Sequence, residues 1–516
     1  MPRRHFKPDF SFFNKIVLGA VGSNAVRRDM AEHGFDLVEL ERGATDAKIW
    51  KEVKRKRVRI PDLVCTRTGL RVESRAKSKP ALQMSHSPDE AERAWDFGMV
   101  DEDWIAFPVC HAVSEAAWAR GEYESDLSYF RQRVAERWEP IGMINYLTVG
   151  EFRKVRHARG SRKGVVEASE YSIEWAAQFS TRTGPVRYVE GQKVSIENEE
   201  GRAYTWTCPQ ELEILVQKGD LVRQNQLFAS SVSPVTPSRD TVPDLDSDEL
   251  GRRFLGSKER TLRFTGVKLA RLRSDRAHER TIRALAEEPD EDLYVRLEAL
   301  AYLSAVAGDP VGDLFGGYLA TAVEETALEA VITIGEVQTR DAVDVLGGLL
   351  LDDEQPFFLR SAAGWSLGKM SDSAASEALI RAFSDQSLEI REEALQGLVS
   401  LGQYARDNLL SGVGHQDPEV AAGCAEALRQ QQDLDGPAIR DLLSSIGSDE
   451  KDHWGVWLIG NLPAERVAPI LQELNDVDRE IHYALSLLWS FGRSWIAQHW
   501  EKNALPNHWR GELRDG

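Results

Sequence analysis

The stretch from residue 59 to residue 77 contains the side chains whose types and spacing best suit chemistry. Two acids lie on neighbouring predicted strands, Asp62 on the first and Glu73 on the second. Alternate residues of a strand share one face, so Glu73, Arg75 and Lys77 are expected on one side of the second strand. Asp62 is then close to them across the hairpin.

Two carboxylates beside cations are a donor set for a hard divalent cation such as Mg²⁺ or Mn²⁺. A bound cation lowers the pKa of a water ligand, and a lysine or arginine stabilises the charge that develops on a phosphate. The pattern therefore predicts phosphodiester hydrolysis, with Asp62 and Glu73 as metal ligands and Lys77 or Arg75 at the phosphate. The alternative interpretation is structural: Asp62 caps a strand and Glu73 forms an ion pair with an arginine such as Arg75.

The elements that must position these residues predict a compact α/β domain over residues 1–135. The predicted helices are 14–32, 46–54 and 88–97, and the predicted strands are 36–41, 57–65, 70–77 and 104–110. If the short helix 46–54 is counted as an insertion, the order of elements is α-β-β-β-α-β.

These residues resemble the motif of the PD-(D/E)xK nuclease superfamily, whose core has a similar α-β-β-β-α-β order. Pro61-Asp62 matches the first half of the motif, and Glu73 matches the second acid. Arg75 stands where the family has a lysine, and Lys77 is the candidate replacement two residues further on. The resemblance implies a Mg²⁺-dependent or Mn²⁺-dependent nuclease, in a family in which many members act on duplexes as dimers. It thus implies a possible homodimer.

Three more residues are candidates for supporting roles in such a site. In the family, an acid on the first helix sometimes assists the metal, which here would be Asp29 or Glu32. His86 lies just past the second motif strand and could line the site, although a lone loop histidine is more often a surface residue. No P-loop occurs in the sequence, and no other catalytic set competes with the acids.

The charge is unevenly distributed along the chain, whose formal net charge is −19. Residues 1–80 contain 19 Lys or Arg and 10 Asp or Glu. The segment 153–163 contains six basic residues and no acid, and 252–283 contains eleven basic and three acidic residues. Local positive charge on an acidic chain favours a phosphate backbone as partner, with DNA favoured. The alternative is that each basic segment is ordinary solvated surface.

The predicted nucleic-acid-binding residues come from the first two of these basic regions. They are Lys54, Arg55, Lys56, Arg57, Arg59, Lys79, Arg153, Lys154, Arg156, Arg159, Arg162 and Lys163.

Residues 138–232 predict a small β-rich domain. Strands 188–197 and 203–208 alternate around a turn at 198–201. The stretch 212–229 resembles the edge of barrel-sandwich hybrid domains, as in lipoyl-like domains. Gly219 is expected to supply a positive φ there, and Asp220 to close the turn. No lysine occupies the position that a lipoyl or biotin carrier needs, so this domain is expected to be structural.

Residues 233–283 predict a Ser/Pro/Asp-rich linker followed by a basic helical segment. From 284 to 516 a motif repeats every 30–33 residues, as in Val295-Arg296-x-x-Ala299 and Leu359-Arg360-x-x-Ala363. Further copies start at Ile390 and Val420, and Gly335 lies 33 residues before Gly368. A two-helix repeat of this length predicts an α-solenoid. It resembles short HEAT repeats of the phycobilisome-lyase type, which implies a protein partner. The tryptophans after residue 488 are expected to cap the last repeat or to mark a partner site.

Length and composition define the class of protein. The chain has 516 residues, 42% of them hydrophobic, and a length that fits about three domains. The longest apolar runs fall short of the roughly 18–20 residues that span a bilayer, so no membrane partner is expected. None of the four cysteines belongs to a CxxC pair, and the first residues do not form a secretory signal. We expect a cytoplasmic protein.

The sequence therefore predicts a multidomain chain with α/β, β and α regions, and two candidate functions. The first is a metal-dependent nucleic-acid phosphodiester hydrolase that a HEAT scaffold regulates or targets. By analogy of fold, it fits prokaryotic defence or DNA repair. The second is a non-catalytic scaffold with a degenerate nuclease fold, which the departure at Arg75 favours.

Overall fold

The computed structural model describes residues 10–40, 60–87, 94–112, 138–162, 171–432, 434–445, 453–474, 481 and 485. Within them the chain forms two compact units, Met1–Tyr302 and Leu303–Gly516.

The first unit contains the strands and the first helices. Its strands are β1 (Leu37–Glu39), β2 (Leu63–Cys65), β3 (Arg71–Ser74), β4 (Gln83–His86), β5 (Trp104–Phe107), β6 (Cys110–Ala112), β7 (Trp138–Pro140), β8 (Asn145–Thr148), β9 (Ala158–Arg162), β10 (Tyr171–Glu174), β11 (Ala177–Phe179), β12 (Gly184–Glu190), β13 (Lys193–Glu197), β14 (Ala203–Thr207), β15 (Glu213–Ile214), β16 (Leu221–Val222), β17 (Leu227–Ser230) and β18 (Pro234–Val235). Its helices are α1 (Phe10–Glu32), α2 (Val149–Lys154), α3 (Ser247–Glu249), a π-helix (Leu250–Leu255), α4 (Arg260–Leu272), α5 (Glu279–Glu287) and α6 (Leu293–Tyr302).

A six-stranded mixed sheet of order β1-β2-β3-β5-β8-β18 carries the predicted motif. β1 is antiparallel to β2, β2 is antiparallel to β3, and β3 is parallel to β5. β8 and β18 complete the sheet in antiparallel register. Helix α1 covers one face, where Val26 and Met30 pack with Val72 and Tyr146. The other face includes Ile105 and packs in part against the aromatic cluster of Phe152 and Trp175.

The first helix and the first three strands follow the predicted order, and β5 corresponds to the last predicted strand. Strand β4, between β3 and β5, was not predicted and belongs to another sheet. The predicted strand 104–110 is shorter than expected: β5 ends at Phe107, and a separate strand, β6, begins at Cys110. Pro108 lies between them and has no N–H for a strand ladder, which explains the break. The predicted helices 46–54 and 88–93 lie outside the described residues, while 94–97 form a bend and turn.

Two sheets lie wholly within the small β region, β11-β17-β15 and β14-β13-β12-β16, around a core that includes Val194, Ile196 and Phe228. The region also contributes β9 and β10 to a sheet with β4, and β7 to a sheet with β6. The predicted turn at 198–201 is confirmed, since the Gly201 N–H donates to the Asn198 carbonyl. The predicted strand 188–197 is wrong in one respect, because the turn at Gly191, with φ of +55°, splits it into β12 and β13.

The expected geometry of the later turn in this region is confirmed. Gly219 has a φ of +96°. The Asp220 carboxylate accepts a hydrogen bond from the Gln217 N–H at 2.8 Å and so closes the turn. The wider resemblance to barrel-sandwich hybrid domains stays a prediction.

The six-stranded sheet crosses the predicted boundary near residue 135. β8 comes from the region predicted as a separate β domain, and β18 comes from the predicted linker. The linker is also packed against the unit, because Leu245 and Phe254 are buried and lie close to Gly69 of the β2–β3 turn. The chain from 233 to 302 therefore belongs structurally to the first unit.

The second unit is a stack of helices. It begins with a π-helix (Leu303–Ala307), and its α-helices are α7 (Val311–Leu319), α8 (Glu324–Ile334), α9 (Arg340–Leu351), α10 (Phe357–Leu367), α11 (Ser373–Arg381), α12 (Leu388–Leu401), α13 (Arg406–Gly412), α14 (Pro418–Gln431), α15 (Gly436–Ser445), α16 (His453–Gly460) and α17 (Ala464–Glu473). Alternate helices pack side by side, α8 on α10, α10 on α12 and α12 on α14.

The repeated motif falls on these alternate helices, as the spacing predicts. Gly335 and Gly368 end α8 and α10, and each allows a close approach to the next repeat. A Cβ on Gly368 would lie 2.6 Å from the Cα of Gly397, so glycine is required there by packing. The predicted helix 481–488 and the tryptophan-rich tail lie largely outside the described residues. Ile481 and Leu485 are helical and buried.

Candidate active site

The two predicted metal ligands are brought together where β2 meets β3. The register pairs Leu63 with Val72, so Asp62 lies opposite Glu73. The Ser74 N–H donates to the Asp62 carboxylate at 2.9 Å, which holds that side chain against the backbone of β3. This bond belongs to the strand-capping role that the structural interpretation gave to Asp62. It also holds the carboxylate at the backbone of the residue that follows Glu73.

Glu73 is a buried acid with a cation beside it. Its residue is 7% exposed, and its carboxylate is 3.0 Å from Nη2 of Arg75. The ion pair confirms that the two side chains share a face of the strand. It is also the contact that the structural interpretation expected. Nε of Arg75 and Oγ of Ser74 are buried and have no hydrogen-bond partner among the described residues.

Lys77 continues the line of β3 beyond its last named residue. Its N–H donates to the Pro108 carbonyl, and its own carbonyl accepts from the Cys110 N–H, each at 2.9 Å. The chain is thus still extended at Lys77, in a parallel bridge with Val109. The alternation that unites Glu73 and Arg75 therefore extends to the half-buried Lys77.

The donor set fits a Mg²⁺ ion that is bound by few protein ligands. Within the described part of the chain, no group of three or more His, Cys, Asp or Glu is placed to hold a metal ion. Mg²⁺ usually keeps several waters and uses one or two carboxylates together with substrate phosphates. Asp62 and Glu73 would supply that pair of carboxylates.

The structure places Asp29, Glu32 and His86, which were proposed for supporting roles, in three different surroundings. Asp29 accepts a hydrogen bond from the Tyr146 hydroxyl at 2.6 Å, on the side of the sheet that α1 covers. Glu32 is exposed at the end of α1. His86 lies on β4, and burial, followed by the nearby His157, lowers its pKa.

A buried ion pair next to the site escaped the sequence interpretation. Arg71, two residues before Glu73, donates from Nε to Asp103 at 2.8 Å and from Nη2 at 2.5 Å. Burial raises the pKa of Asp103, and the charge and hydrogen bonds of Arg71 act against that rise. Nη1 of Arg71 lies 3.5 Å from Oγ1 of Thr265 on α4. The available signal was an arginine between Leu70 and Val72, on the face that Glu73 shares.

The predicted basic face at 153–163 is partly neutralised by acids from elsewhere in the chain. Arg153 pairs with Asp96 at 2.8 Å and with Asp101 at 2.6 Å, and Lys154 pairs with Glu151 at 2.6 Å. These two cations therefore have structural partners.

The remaining predicted nucleic-acid-binding residues fall into two groups. Those within the described chain are Lys79 and Arg156, both exposed, and Arg159 and Arg162, whose backbones lie in β9. Those outside the described residues are Lys54, Arg55, Lys56, Arg57, Arg59 and Lys163.

The basic segment 252–283 is partly a packing element, because five of its eleven cations contact acids or backbone carbonyls of the first unit. Five others are exposed, namely Arg252, Arg253, Lys258, Arg276 and Arg280. Three of its arginines form ion pairs with acids that lie just before α6 or within it. The pairs are Arg260 with Asp292 at 2.7 Å, Arg263 with Glu291 at 2.6 Å and Arg271 with Glu298 at 2.7 Å.

Two more cations of this segment bind backbone carbonyls of the motif region. Lys268 is 4% exposed, and its ammonium donates to the Leu40 carbonyl at 3.1 Å. Arg273 donates to the carbonyls of Thr66 at 2.6 Å and Arg67 at 2.8 Å, at the β2–β3 turn. Helix α4 and the residue after it thus fasten the hairpin that carries Asp62 and Glu73.

Comparison with known proteins shows that the helical repeats are similar to those of other repeat proteins. Residues 313–399 match the family model of HEAT repeats. The complex of CpcE and CpcF of phycocyanin lyase from Nostoc sp. PCC7120 is 19% identical over 41% of this chain and 94% of that chain, with a TM-score of 0.20. Human deoxyhypusine hydroxylase in complex with glycerol is 19% identical over 45% and 80%, with a TM-score of 0.16. A designed armadillo repeat protein in complex with the peptide (KR)4 is 16% identical over 47% and 97%, with a TM-score of 0.18.

No curated protein matches the sequence significantly. Among the described helices, none is long and apolar enough to cross a membrane. The family match lies in the second unit, where alternate helices carry the repeated motif. The C-terminal part of the chain is therefore a helical-repeat solenoid that contains HEAT repeats.

Proposed function

We propose that the first unit is a metal-dependent nucleic-acid phosphodiester hydrolase, with DNA as the favoured substrate. The observation that carries the proposal is the pair of neighbouring acids on the β2–β3 hairpin. Asp62 is held by the Ser74 N–H, and Glu73 is buried beside Arg75. The parallel pairing of β3 with β5, next to an antiparallel β1-β2-β3, also supports a nuclease-like core.

Each residue of the hairpin would have a defined task. Asp62 and Glu73 would hold Mg²⁺ or Mn²⁺, which when bound activates water and offsets phosphate charge. Arg75 would leave Glu73 for the scissile phosphate, to which a guanidinium can donate two parallel hydrogen bonds. Lys77, further along the same face, would orient the attacking water or stabilise the charge that develops on the phosphate.

The test is cleavage of labelled linear duplex, supercoiled plasmid, single-stranded DNA and RNA with Mg²⁺, Mn²⁺ or EDTA. Asp62→Asn is the sharp variant, because an amide oxygen still accepts from the Ser74 N–H while the negative charge is lost. We expect Asp62→Asn and Glu73→Gln to reduce cleavage to the EDTA level. Lys77→Ala and Arg75→Ala should each slow it by roughly a hundredfold or more if they act on the phosphate.

Glu213→Gln is the matched control, since Glu213 is an exposed acid on β15 of the same unit. It should cleave as the wild type does. Cleavage that persists in both Asp62→Asn and Glu73→Gln would show that these acids are not the metal ligands.

The second candidate function is a non-catalytic nucleic-acid or protein scaffold, and the Glu73–Arg75 ion pair favours it. A guanidinium 3.0 Å from the carboxylate already neutralises one of the two acids. Manganese binding followed by electron paramagnetic resonance separates the two functions. Mn²⁺ that binds wild type but not Asp62→Asn supports the hydrolase. Absence of both Mn²⁺ binding and cleavage supports the scaffold, and Arg75→Lys then tests whether the arginine blocks the site.

The HEAT solenoid would provide the partner site in either case. Repeats of this type bury their helices against one another and leave extended surfaces for binding. We therefore propose that a protein partner on the second unit targets or regulates the first. A pull-down with Leu303–Gly516 as bait, compared with Met1–Tyr302, tests which unit carries the partner site.

A further inference from the structure

The solenoid has a row of exposed apolar side chains at the starts of the alternate helices in three successive repeats. Val323 precedes α8 directly, Phe357 begins α10, and Leu388 begins α12. They are 58%, 44% and 57% exposed. The other large hydrophobics that are exposed in the described part of the chain are Leu221, Leu272 and Tyr404. Single exposed apolar residues are ordinary, but an exposed apolar residue at the first helical position, or directly before it, in three successive repeats is not.

The packing of the helices places these three residues along one edge. α8 packs beside α10, and α10 beside α12, so the starts of these helices lie next to each other. Packed helices are about 8–10 Å apart, which makes the row roughly 20 Å long. A peptide of about six residues in the polyproline II conformation, which rises about 3.1 Å per residue, covers that length. Because this conformation has three residues per turn, every third side chain would face the row.

The same edge is acidic. The segments 321–325, 352–359, 384–390 and 415–420, which lead into α8, α10, α12 and α14, contain nine Asp or Glu and no Lys or Arg. Asp353, Glu389 and Glu419 are exposed. Hydrogen bonds keep other carboxyl groups of the edge ionised: the Gln355 amide lowers the pKa of Asp352, and the Ser384 hydroxyl lowers that of Asp417. Arg360 and Arg391 follow two of these segments, and Arg360 pairs with Asp385, but the acids outnumber the cations, so the edge around the apolar row has a net negative charge.

We propose that this edge docks a basic segment of a partner protein, in which apolar side chains recur about every third residue between lysines or arginines. The apolar side chains would cover Val323, Phe357 and Leu388, and the cations would pair with the carboxylates around them. The inference rests on the proposed protein-binding role of the solenoid and gives that partner a chemistry. It is independent of the hydrolase, because none of its residues belongs to the candidate active site.

The test uses the full chain and fluorescein-labelled twelve-residue peptides, with binding measured by fluorescence anisotropy. The probe repeats Lys-Lys-Leu, and its controls repeat Lys-Lys-Ser and Glu-Glu-Leu. We expect the probe to bind at 0.15 M salt and more weakly as salt rises. Both control peptides should bind at least tenfold more weakly.

Two double variants separate the apolar and the charged contributions. Phe357→Ser with Leu388→Ser, and Asp353→Asn with Glu389→Gln, should each weaken binding of the probe at least tenfold. Their matched controls are Tyr404→Ser, beyond the C-terminal end of α12, and Asp344→Asn, an exposed acid on α9. Both controls should bind as the wild type does. The charge variant leaves the apolar row intact, so a folding defect in the serine variant would not decide the question.

Three results would overturn the proposal. They are failure of the Lys-Lys-Leu peptide to bind, equal binding of the Glu-Glu-Leu peptide, and equal loss in the Tyr404→Ser and Asp344→Asn controls. Self-association of the chain that is lost in the Phe357→Ser, Leu388→Ser variant would instead identify a second copy as the occupant. Cleavage assays of that variant report on the hydrolase separately, and we expect them to be unchanged.

Discussion

Glu73 lies between two arginines on the same face of the strand, Arg71 and Arg75, and the two arginines pair with different acids. Arg71 is bound to Asp103 by two hydrogen bonds, whereas Arg75 forms an ion pair with Glu73. On this face of β3 the buried Arg71–Asp103 pair supports the strand. The Arg75 side chain is 34% exposed, and in the proposed hydrolase it is the arginine that would turn toward a phosphate.

We expect Asp103→Ala to destabilise the first unit by about 3–5 kcal/mol, because it leaves the buried Arg71 charge without a counter-ion. The measurement is urea unfolding of Met1–Tyr302 followed by tryptophan fluorescence. Glu102→Ala, which changes the exposed acid next in sequence, is the control and should alter the free energy of unfolding by less than about 0.5 kcal/mol. Similar values for the two variants would contradict a structural role for the Arg71–Asp103 pair.

The sequence was sufficient to predict the Asp62–Glu73 pair because its causes are local. A short turn and the two-residue period of strands bring residues 62 and 73 opposite each other. The Arg71–Asp103 pair joins residues 32 apart through the parallel pairing of β3 with β5, and no local pattern carries that information. The partners of Arg153 were missed for the same reason.

Two glycines in helices of the second unit differ in what a side chain would change. At one, close packing excludes a Cβ, and at the other, only the helix propensity of the residue matters. Gly368 ends α10 against Gly397 of the neighbouring repeat, where a Cβ would approach a Cα to 2.6 Å. Gly348 lies within α9, and a Cβ there would have nothing within 4 Å among the described residues. The same substitution therefore has opposite consequences at the two sites.

Gly368→Ala is expected to destabilise the second unit by about 1–3 kcal/mol, because the new methyl group meets backbone that cannot move aside cheaply. Gly348→Ala should stabilise it by about 0.5–1 kcal/mol through helix propensity. Thermal unfolding of the two variants, followed by circular dichroism, checks both signs. A stabilising Gly368→Ala would mean that the contact between repeats is looser than described.

Elements with a strong local signature could be predicted. Examples are helix α1, the turns at 66–69 and 198–201 and the repeated helices, which depend on periodicity and turn residues. The break at Gly191 was missed because 188–197 alternates through the turn. The break at Pro108 was missed because a short apolar run reads as one strand.

At the scale of the whole molecule, the first unit ends later than its sequence suggests. Composition placed a boundary at 283, whereas contacts place it at Tyr302. The difference is α6, which supplies Glu298 to the buried Arg271. Boundaries of this kind are set by long-range ion pairs, and composition does not contain them.

A fragment of residues 1–302 is expected to be more stable than a fragment of residues 1–283. The shorter fragment lacks the carboxylates that pair with Arg260, Arg263 and Arg271, and removal of the partner from a buried charge costs several kcal/mol. Differential scanning calorimetry of both fragments measures the difference. Equal melting temperatures would place the structural boundary where the composition did.

The hydrogen bonds that Arg273 donates to the β2–β3 turn have a consequence for synthesis of the chain. Its hydrogen bonds join residues 207 and 206 positions apart. A ribosome adds about 5–20 residues per second, so roughly 10–40 s separate the synthesis of the hairpin from that of Arg273. During that interval the nascent sheet is uncovered on the side that α4 later occupies, and a chaperone that binds nascent chains would find its target there. Slow codons between residues 67 and 273 would lengthen the exposure.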